Sequence, residues 1–415
     1  MSGRMIAESS GDSTVRNRRE QLRWAVRTGC FIVAVLLTWF AVGGAAWLVY
    51  IGALSPFVAL SGLLADRTFH AWAWPGLLIG VAVLFRHRLF CRWLCPLGLC
   101  ADAVSAAGKR LGSRPARCPA VGRWIVWLTV GGAILGWPLL LWLDPLAIWS
   151  NGALLGRIGD GAAVWLPALG LLIVLAISAI RPHLWCRKIC PLGALQDQTA
   201  SATRSARSAI FKADRNNTEK SNCPRMSRRG VLGIAAGAGA AWLIGPGRSE
   251  VRAVLRPPGA RDESRFVGLC TRCGNCLRVC PSRIIRRDMA EGGAVSLFTP
   301  VLRFDADYCR EDCTLCTQVC PSGAIMPLSV KAKADMQIGL PAVDMNICLL
   351  GDDRECSACM RWCPYDAIRY VFSEAEYTLI PHIDQHKCTG CGACEAACPT
   401  KPKKAIVVER CDATA

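Results

Sequence analysis

The sequence predicts an α-helical membrane domain of four to five transmembrane helices, followed by a smaller α+β domain assembled from a repeated cysteine unit. Three observations carry this expectation. Long apolar runs occupy roughly the first 250 of the 415 residues, basic residues gather between alternate runs, and one cysteine spacing recurs four times in the remainder. The chain is 52% hydrophobic with a mean hydropathy of +0.29, high for a soluble protein. Its net charge of +18 would suit nucleic acid, but the charge lies in the loops between apolar runs. That distribution belongs to a membrane protein obeying the positive-inside rule.

Met1–Gly29 is polar and basic, with Arg16, Arg18, Arg19, Arg23 and Arg27, and is expected in the cytoplasm. The run Cys30–Ile51 is long enough to span and has no clear small-residue cleavage site, so it reads as an anchor rather than a removable leader. Further runs cover Phe69–Phe85, Trp124–Leu143 and Ala162–Ile180, and a shorter Gly- and Ala-rich run covers Gly230–Gly245. Seven basic residues lie between Arg86 and Arg117 against one acid, Asp102, and Arg181–Arg229 is equally basic. The connections around Asp66–Arg67 and Asp144–Asp160 carry one arginine each. The N-terminus and both basic loops are therefore assigned to the cytoplasm, and five spans leave the C-terminal half outside.

This half is also a tandem repeat. FRHRLFCRWLCPLG aligns with IRPHLWCRKICPLG, so Cys91 and Cys95 correspond to Cys186 and Cys190 at an offset of 95 residues. The preceding loops echo each other too, SPFVALSGLLADR against DPLAIWSNGALLGR, and read as outer loops. Two helix pairs, each ending in C-x3-C-P, would bring four thiols to a pseudo-twofold axis, as a site for a metal or cluster or as redox thiols. Cys30 reads as a small apolar filler. Cys100, Cys118, Cys223 and Cys411 lack partners at ligand spacing and stay unassigned. With no C-x-x-C-H and no histidine in the middle of an apolar run, haem is not expected.

In the second half, Cys270, Cys273, Cys276 and Cys280 precede Pro281 in the C-x2-C-x2-C-x3-C-P spacing of a [4Fe–4S] loop. Three variants follow: Cys309, Cys313, Cys316 and Cys320; Cys348, Cys356, Cys359 and Cys363; Cys388, Cys391, Cys394 and Cys398. These motifs use 16 of 25 cysteines, which excludes a disulfide framework as the simple reading and predicts four [4Fe–4S] clusters. The unit repeats about every 39 residues as a short strand, a cysteine loop with a helical turn, and an apolar pair such as Ala324-Ile325. The fold class is thus α+β ferredoxin-like, with two two-cluster modules. The fourth cysteine of such a motif ligates the other cluster of its pair. Pairing motif one with two and three with four, or one with four and two with three, satisfies the spacing equally. Val251–Phe266 reads as a linker.

Ser227-Arg228-Arg229-Gly230-Val231-Leu232 resembles a twin-arginine translocation signal, with Val231 where phenylalanine is usual. Residues 25–200 resemble the NapH/MauN-type membrane proteins, and residues 227–400 resemble the NapG/MauM-type polyferredoxins. The predicted organisation is a cytoplasmic segment (1–29), a four-helix membrane domain (30–200), a basic linker with the twin-arginine-like motif and fifth apolar segment (201–250), and a four-cluster domain (251–411). The resemblance implies a quinol dehydrogenase module of the bacterial inner membrane, taking electrons from menaquinol or ubiquinol and passing them to a periplasmic redox enzyme. Asp66, His70, His87, Asp144 and His183 are candidate proton acceptors. The C-x3-C-P motif is shared with the FixG/RdxA assembly proteins and NosR-like regulators, which implies an alternative role in metal-centre assembly or redox regulation. Sidedness separates the two, since FixG-type clusters are expected in the cytoplasm.

Overall fold

The computed structural model describes residues 3–39, 47–68, 71–113, 118–153, 162–215, 228–244, 254–352, 354–374 and 377–410. Two compact units result, one helical and one built around the cysteine repeats, and each is described by itself.

In the helical unit, proline sets where several helices begin. Pro56–Asp66, Trp74–Phe85, Pro96–Arg110 and Pro145–Gly152 all carry proline in the first turn, where its missing N–H costs nothing. The other long helices are Gly3–Trp39, Val121–Ile134, Ala162–Ile180, Pro191–Arg215 and Arg228–Ile244. Among the described residues, Glu20–Trp39 is one helix long and apolar enough to cross a bilayer. The shorter apolar helices are Pro56–Asp66, Ala71–Phe85, Val121–Ile134 and Leu169–Ile180.

Two expectations change here. The run Trp124–Leu143 is not one helix, because it stops at Ile134, turns at Gly136 with φ of 87°, and ends in a 3-10 turn at Leu141–Leu143. The described parts of the segments read as outer loops, 55–67 and 144–153, are short and largely buried helices rather than exposed loops. Ser55 and Asp144 are fully buried, each caps the short helix that follows it, and Ser55 Oγ donates to Asp144 Oδ1 at 2.6 Å. The two repeats thus satisfy one another's buried polar caps, which an apolar surrounding would otherwise penalise.

The Gly/Ala-rich run is the helix Arg228–Ile244, and its glycines are contact points. Gly230, Gly233, Gly237 and Ala241 form its buried face. A Cβ on Gly237 would sit 2.3 Å from Leu128 O, and one on Gly233 would sit 2.9 Å from Trp127 Cβ. The facing Gly131 is equally close to Ile234 O. Small residues on both helices let the backbones approach, the packing used between membrane helices. Arg228 and Arg229 stand exposed at its start, and Ser227 lies outside the described residues.

In the second unit the strands pair in antiparallel twos: Ile285–Arg287 with Pro300–Leu302, Leu340–Val343 with Ile406–Glu409, and Ile368–Ser373 with Thr378–Ile383. An isolated bridge joins Ala260 to Ile325. The pattern is one rule applied four times. The stretch before each cysteine motif pairs with the stretch after the other motif of its module, so motif one goes with two and three with four. Residues from 254 onward are consequently part of the fold rather than linker: Arg256 is buried and paired with Glu263, and Phe266 is fully buried.

Replacing Gly237 by leucine should lower the melting temperature of the purified protein, with a destabilisation of about 1–3 kcal/mol from overpacking. The Gly239→Leu control has open space around the added side chain and should leave it unchanged.

Candidate cluster-binding sites

In the helical unit Cys91, Cys95, Cys186 and Cys190 converge. All four line one cavity of about 970 Å³, and Cys190 has Cys91, Cys186 and Cys95 as charge neighbours. Cys91 stands on the short helix Leu89–Trp93, whereas its repeat mate Cys186 stands on the π turn Trp185–Ile189. Cys95 and Cys190 sit just before their helices, where Gly98 N–H donates to Cys95 Sγ at 3.3 Å and Gly193 N–H to Cys190 Sγ at 3.5 Å. Burial pushes the Cys91 thiol up to about 12, with Cys186 adding to the shift, and pushes Cys186 up to about 11. These sulfurs become anionic only with compensation. The cavity supplies it: Arg23, Arg27, Arg88, Arg92, Arg123 and Arg187 are among its lining residues.

The sequence reading missed the bracing of this site. Arg88 donates to both carboxylate oxygens of Asp197, through Nε at 2.6 Å and through Nη2 at 2.5 Å, while His183 Nδ1 pairs with Asp102 Oδ1 at 3.4 Å. Arg88 and His183 occupy equivalent repeat positions, both with positive φ, and so do Asp102 and Asp197. Each repeat therefore reaches across to the other's acid. The signal was present in the same 95-residue offset that aligns the cysteines. Among the candidate proton acceptors, His87 and His183 line the cavity, and His87 Nε2 lies 2.9 Å from Asp197 Oδ1. Asp144 is buried near Cys95, Asp66 is buried beside Thr68, and His70 lies outside the described residues.

The second unit resolves what cysteine spacing left open. One small cavity is lined by Cys309, Cys313, Cys316 and Cys280, a second by Cys348, Cys356, Cys359 and Cys398, and a third by Cys388, Cys391, Cys394 and Cys363. The remaining four gather likewise, since Cys270, Cys273 and Cys276 all have Cys320 as a charge neighbour. Every set takes three cysteines from one motif and the fourth from its partner. Among the described residues no three His, Cys, Asp or Glu side chains close on a single metal ion. Each set brings together four thiols, the donor chemistry an iron–sulfur cluster requires.

Backbone amides also point at the sulfurs. Ile325 N–H donates to Cys320 Sγ and Ala367 N–H to Cys363 Sγ, each at 3.4 Å. Burial pushes the Cys270 thiol up to about 12. Burial also raises Cys398, but hydrogen bonds from Thr400 and the amides of Ala405 and Ile406 outweigh it and bring that thiol below its ordinary range.

Fold and cysteine sets define a ferredoxin-type iron–sulfur protein with tandem modules. Comparison with known proteins places it further. A family model described as a 4Fe-4S dicluster domain matches residues 269–324 and 354–401, and a model described as a 4Fe-4S binding domain matches 68–115 and 163–208. The methylamine utilization ferredoxin-type protein MauM of Methylobacillus flagellatus is 33% identical over 181 residues, covering 42% of this chain and 76% of that protein. MauM of Methylorubrum extorquens is 36% identical, over 41% of this chain and 78% of the relative. The ferredoxin-type protein NapG of Escherichia coli is 33% identical over 192 residues, 43% of this chain and 81% of its own length. No solved structure matches. The chain belongs to the MauM/NapG family of ferredoxin-type iron–sulfur electron-transfer proteins.

The exchanged fourth cysteine has a direct consequence. Cys280→Ser should disturb the centre completed by Cys309, Cys313 and Cys316, and Cys320→Ser the centre of Cys270, Cys273 and Cys276. Electron paramagnetic resonance of the reduced variants, each compared with a Cys313→Ser and a Cys273→Ser reference, reads which signal is lost.

Proposed function

We propose that this chain is a membrane-anchored quinol dehydrogenase module, fusing a NapH/MauN-type membrane domain to a NapG/MauM-type polyferredoxin. The observation that carries it is the pairing, in one chain, of a basic four-thiol cavity inside an apolar-surfaced helical unit with tandem cysteine modules. The helical unit presents Ile32, Leu36, Leu78, Val81, Leu172 and Ile173 to its surroundings, each about half or more exposed. An outer apolar surface of this kind fits lipid rather than water.

On this reading the sixteen motif cysteines hold four [4Fe–4S] clusters, and Cys91, Cys95, Cys186 and Cys190 hold a further cluster or metal. The match of a 4Fe-4S binding model across both C-x3-C-P repeats supports the second assignment. Such clusters supply one-electron carriers, which is what divides the two electrons of a quinol. The chain's own residues would do the rest. The arginine-lined cavity offsets the thiolate charge, and His87, held by Asp197, is placed to take a proton, whereas His183 Nε2 already accepts from Lys109 Nζ at 2.9 Å. The acceptor is a periplasmic reductase or cytochrome, of the nitrate-reductase or amine-dehydrogenase type.

Membranes carrying the protein should show an iron–sulfur signal in paramagnetic resonance on addition of a menaquinol analogue. An unchanged signal would sink the quinol link. Protease should reach Cys270–Arg410 in intact spheroplasts; protection there with cleavage in inverted vesicles would favour the cytoplasmic assembly-factor role. The double variant Cys91→Ser with Cys186→Ser should lose about four irons per chain, the content of one [4Fe–4S] centre, and keep the ferredoxin signals.

A further inference from the structure

Lys333 is a buried cation without a counter-charge of the usual kind. It lies on the short helix Val330–Ala334 and is 2% exposed. Its Nζ donates to Cys313 O at 2.8 Å and to Arg310 O, and it hydrogen-bonds the Cys309 sulfur. Among the described residues it forms no ion pair with a carboxylate. Two other buried cations differ: Arg27 pairs with Asp102, and Arg256 with Glu263. A charge taken out of water needs an opposite charge or a metal centre beside it, and carbonyls alone leave it poorly compensated.

The missing anion is available only when the neighbouring thiols are loaded. Four thiolates around an iron–sulfur core are net negative, and Lys333 touches the loop of Cys309 and Cys313 from inside the protein. We propose that Lys333 is the built-in counter-cation of the centre held by Cys280, Cys309, Cys313 and Cys316, raising its reduction potential by favouring the more negative, reduced form. This rests on reading those four residues as cluster ligands. Net charge and hydrogen bonds around the sulfurs are the protein's levers on such potentials, and Lys333 supplies both.

The fold also sets how far that charge reaches. Cys309 N–H donates to Cys391 O at 2.9 Å, so the second motif touches a cysteine of the fourth. This contact is built closely: Gly392, with φ of 82°, lies where a Cβ would sit 2.2 Å from the Phe304 ring. Tyr365, next to Cys391, feels the charge of Lys333 as well. The first set has its own buried cation, Arg287, whose neighbours are Cys276, Cys273 and Cys270. The influence of Lys333 should therefore be largest on the second set, that of Cys280, Cys309, Cys313 and Cys316, and smaller on the other three.

The test is a redox titration of the purified, loaded protein followed by paramagnetic resonance, comparing Lys333→Met and Lys333→Arg. A Cys313→Ser reference identifies the signal of the second set. Lys333→Met should make reduction of that centre at least tenfold less favourable, which is about 59 mV for one electron. Lys333→Arg should retain the parent value to within a few-fold. An unmoved second-set potential in Lys333→Met at full iron content, or an equal shift of every centre, overturns the proposal. Should Lys333→Met fail to load iron, Lys333→Gln, which keeps a donor for the carbonyls, carries the same two outcomes. Iron far short of four clusters in the unaltered protein would instead overturn the ligand assignment.

Discussion

A short loop that places three cysteines around one centre turns away before a fourth residue of the same loop can close the frame, so the last thiol must come from elsewhere. Here it comes from the partner motif, and the second unit is organised around that exchange. Strand pairing follows the same rule, with each motif's leading stretch hydrogen-bonded to its partner's trailing stretch. Ligand sets and backbone ladders thus cross between motifs at the same places. The module cannot come apart at one without losing the other. Among the described residues the sheets have two strands each, so the ladders alone hold the unit weakly, and buried apolar side chains such as Phe266, Leu302 and Phe304 add to them.

The helical unit solves a related problem with different groups. Short helices begin inside it, so their first N–H groups need partners away from water. Ser55 and Asp144 cap their own helices and hydrogen-bond each other, and Arg88 with Asp197 repeats the cross-repeat device at the thiol cavity. Duplication makes this economical, because a polar residue in one repeat finds its complement at the equivalent place in the other. The same symmetry assembles four thiols from two copies of one C-x3-C-P motif.

Much of this was legible as spacing. The cysteine motifs, the 95-residue offset and the 39-residue unit are short-range periodicities, and local chain geometry converts them directly into loops and turns. Gly230–Gly245 was legible as apolar, yet its role as a glycine-to-glycine contact face depends on Gly131 and Leu128, more than ninety residues earlier. Trp124–Leu143 looked like a single span because hydropathy averages over Gly136, whose positive φ ends the helix. Residues 254–266 looked like a linker because proline and glycine mark turns whether or not the turn is packed, and burial of Arg256 and Phe266 is a tertiary fact.

Sequence alone determined that the chain is a two-part protein with four ferredoxin-type motifs and a duplicated pair of thiols, because those features are written in residue type and interval. Which motif completes which was beyond it. Spacing is the same for either pairing, and only the strand register brings Cys280 to Cys309 and Cys320 to Cys270. The convergence of Cys91, Cys95, Cys186 and Cys190 on one basic cavity, and the placement of Lys333 against Cys309 and Cys313, were likewise decided in three dimensions. Each depends on side chains far apart in the chain sharing one low-dielectric space, where a single charge or hydrogen bond counts for more than it would in water.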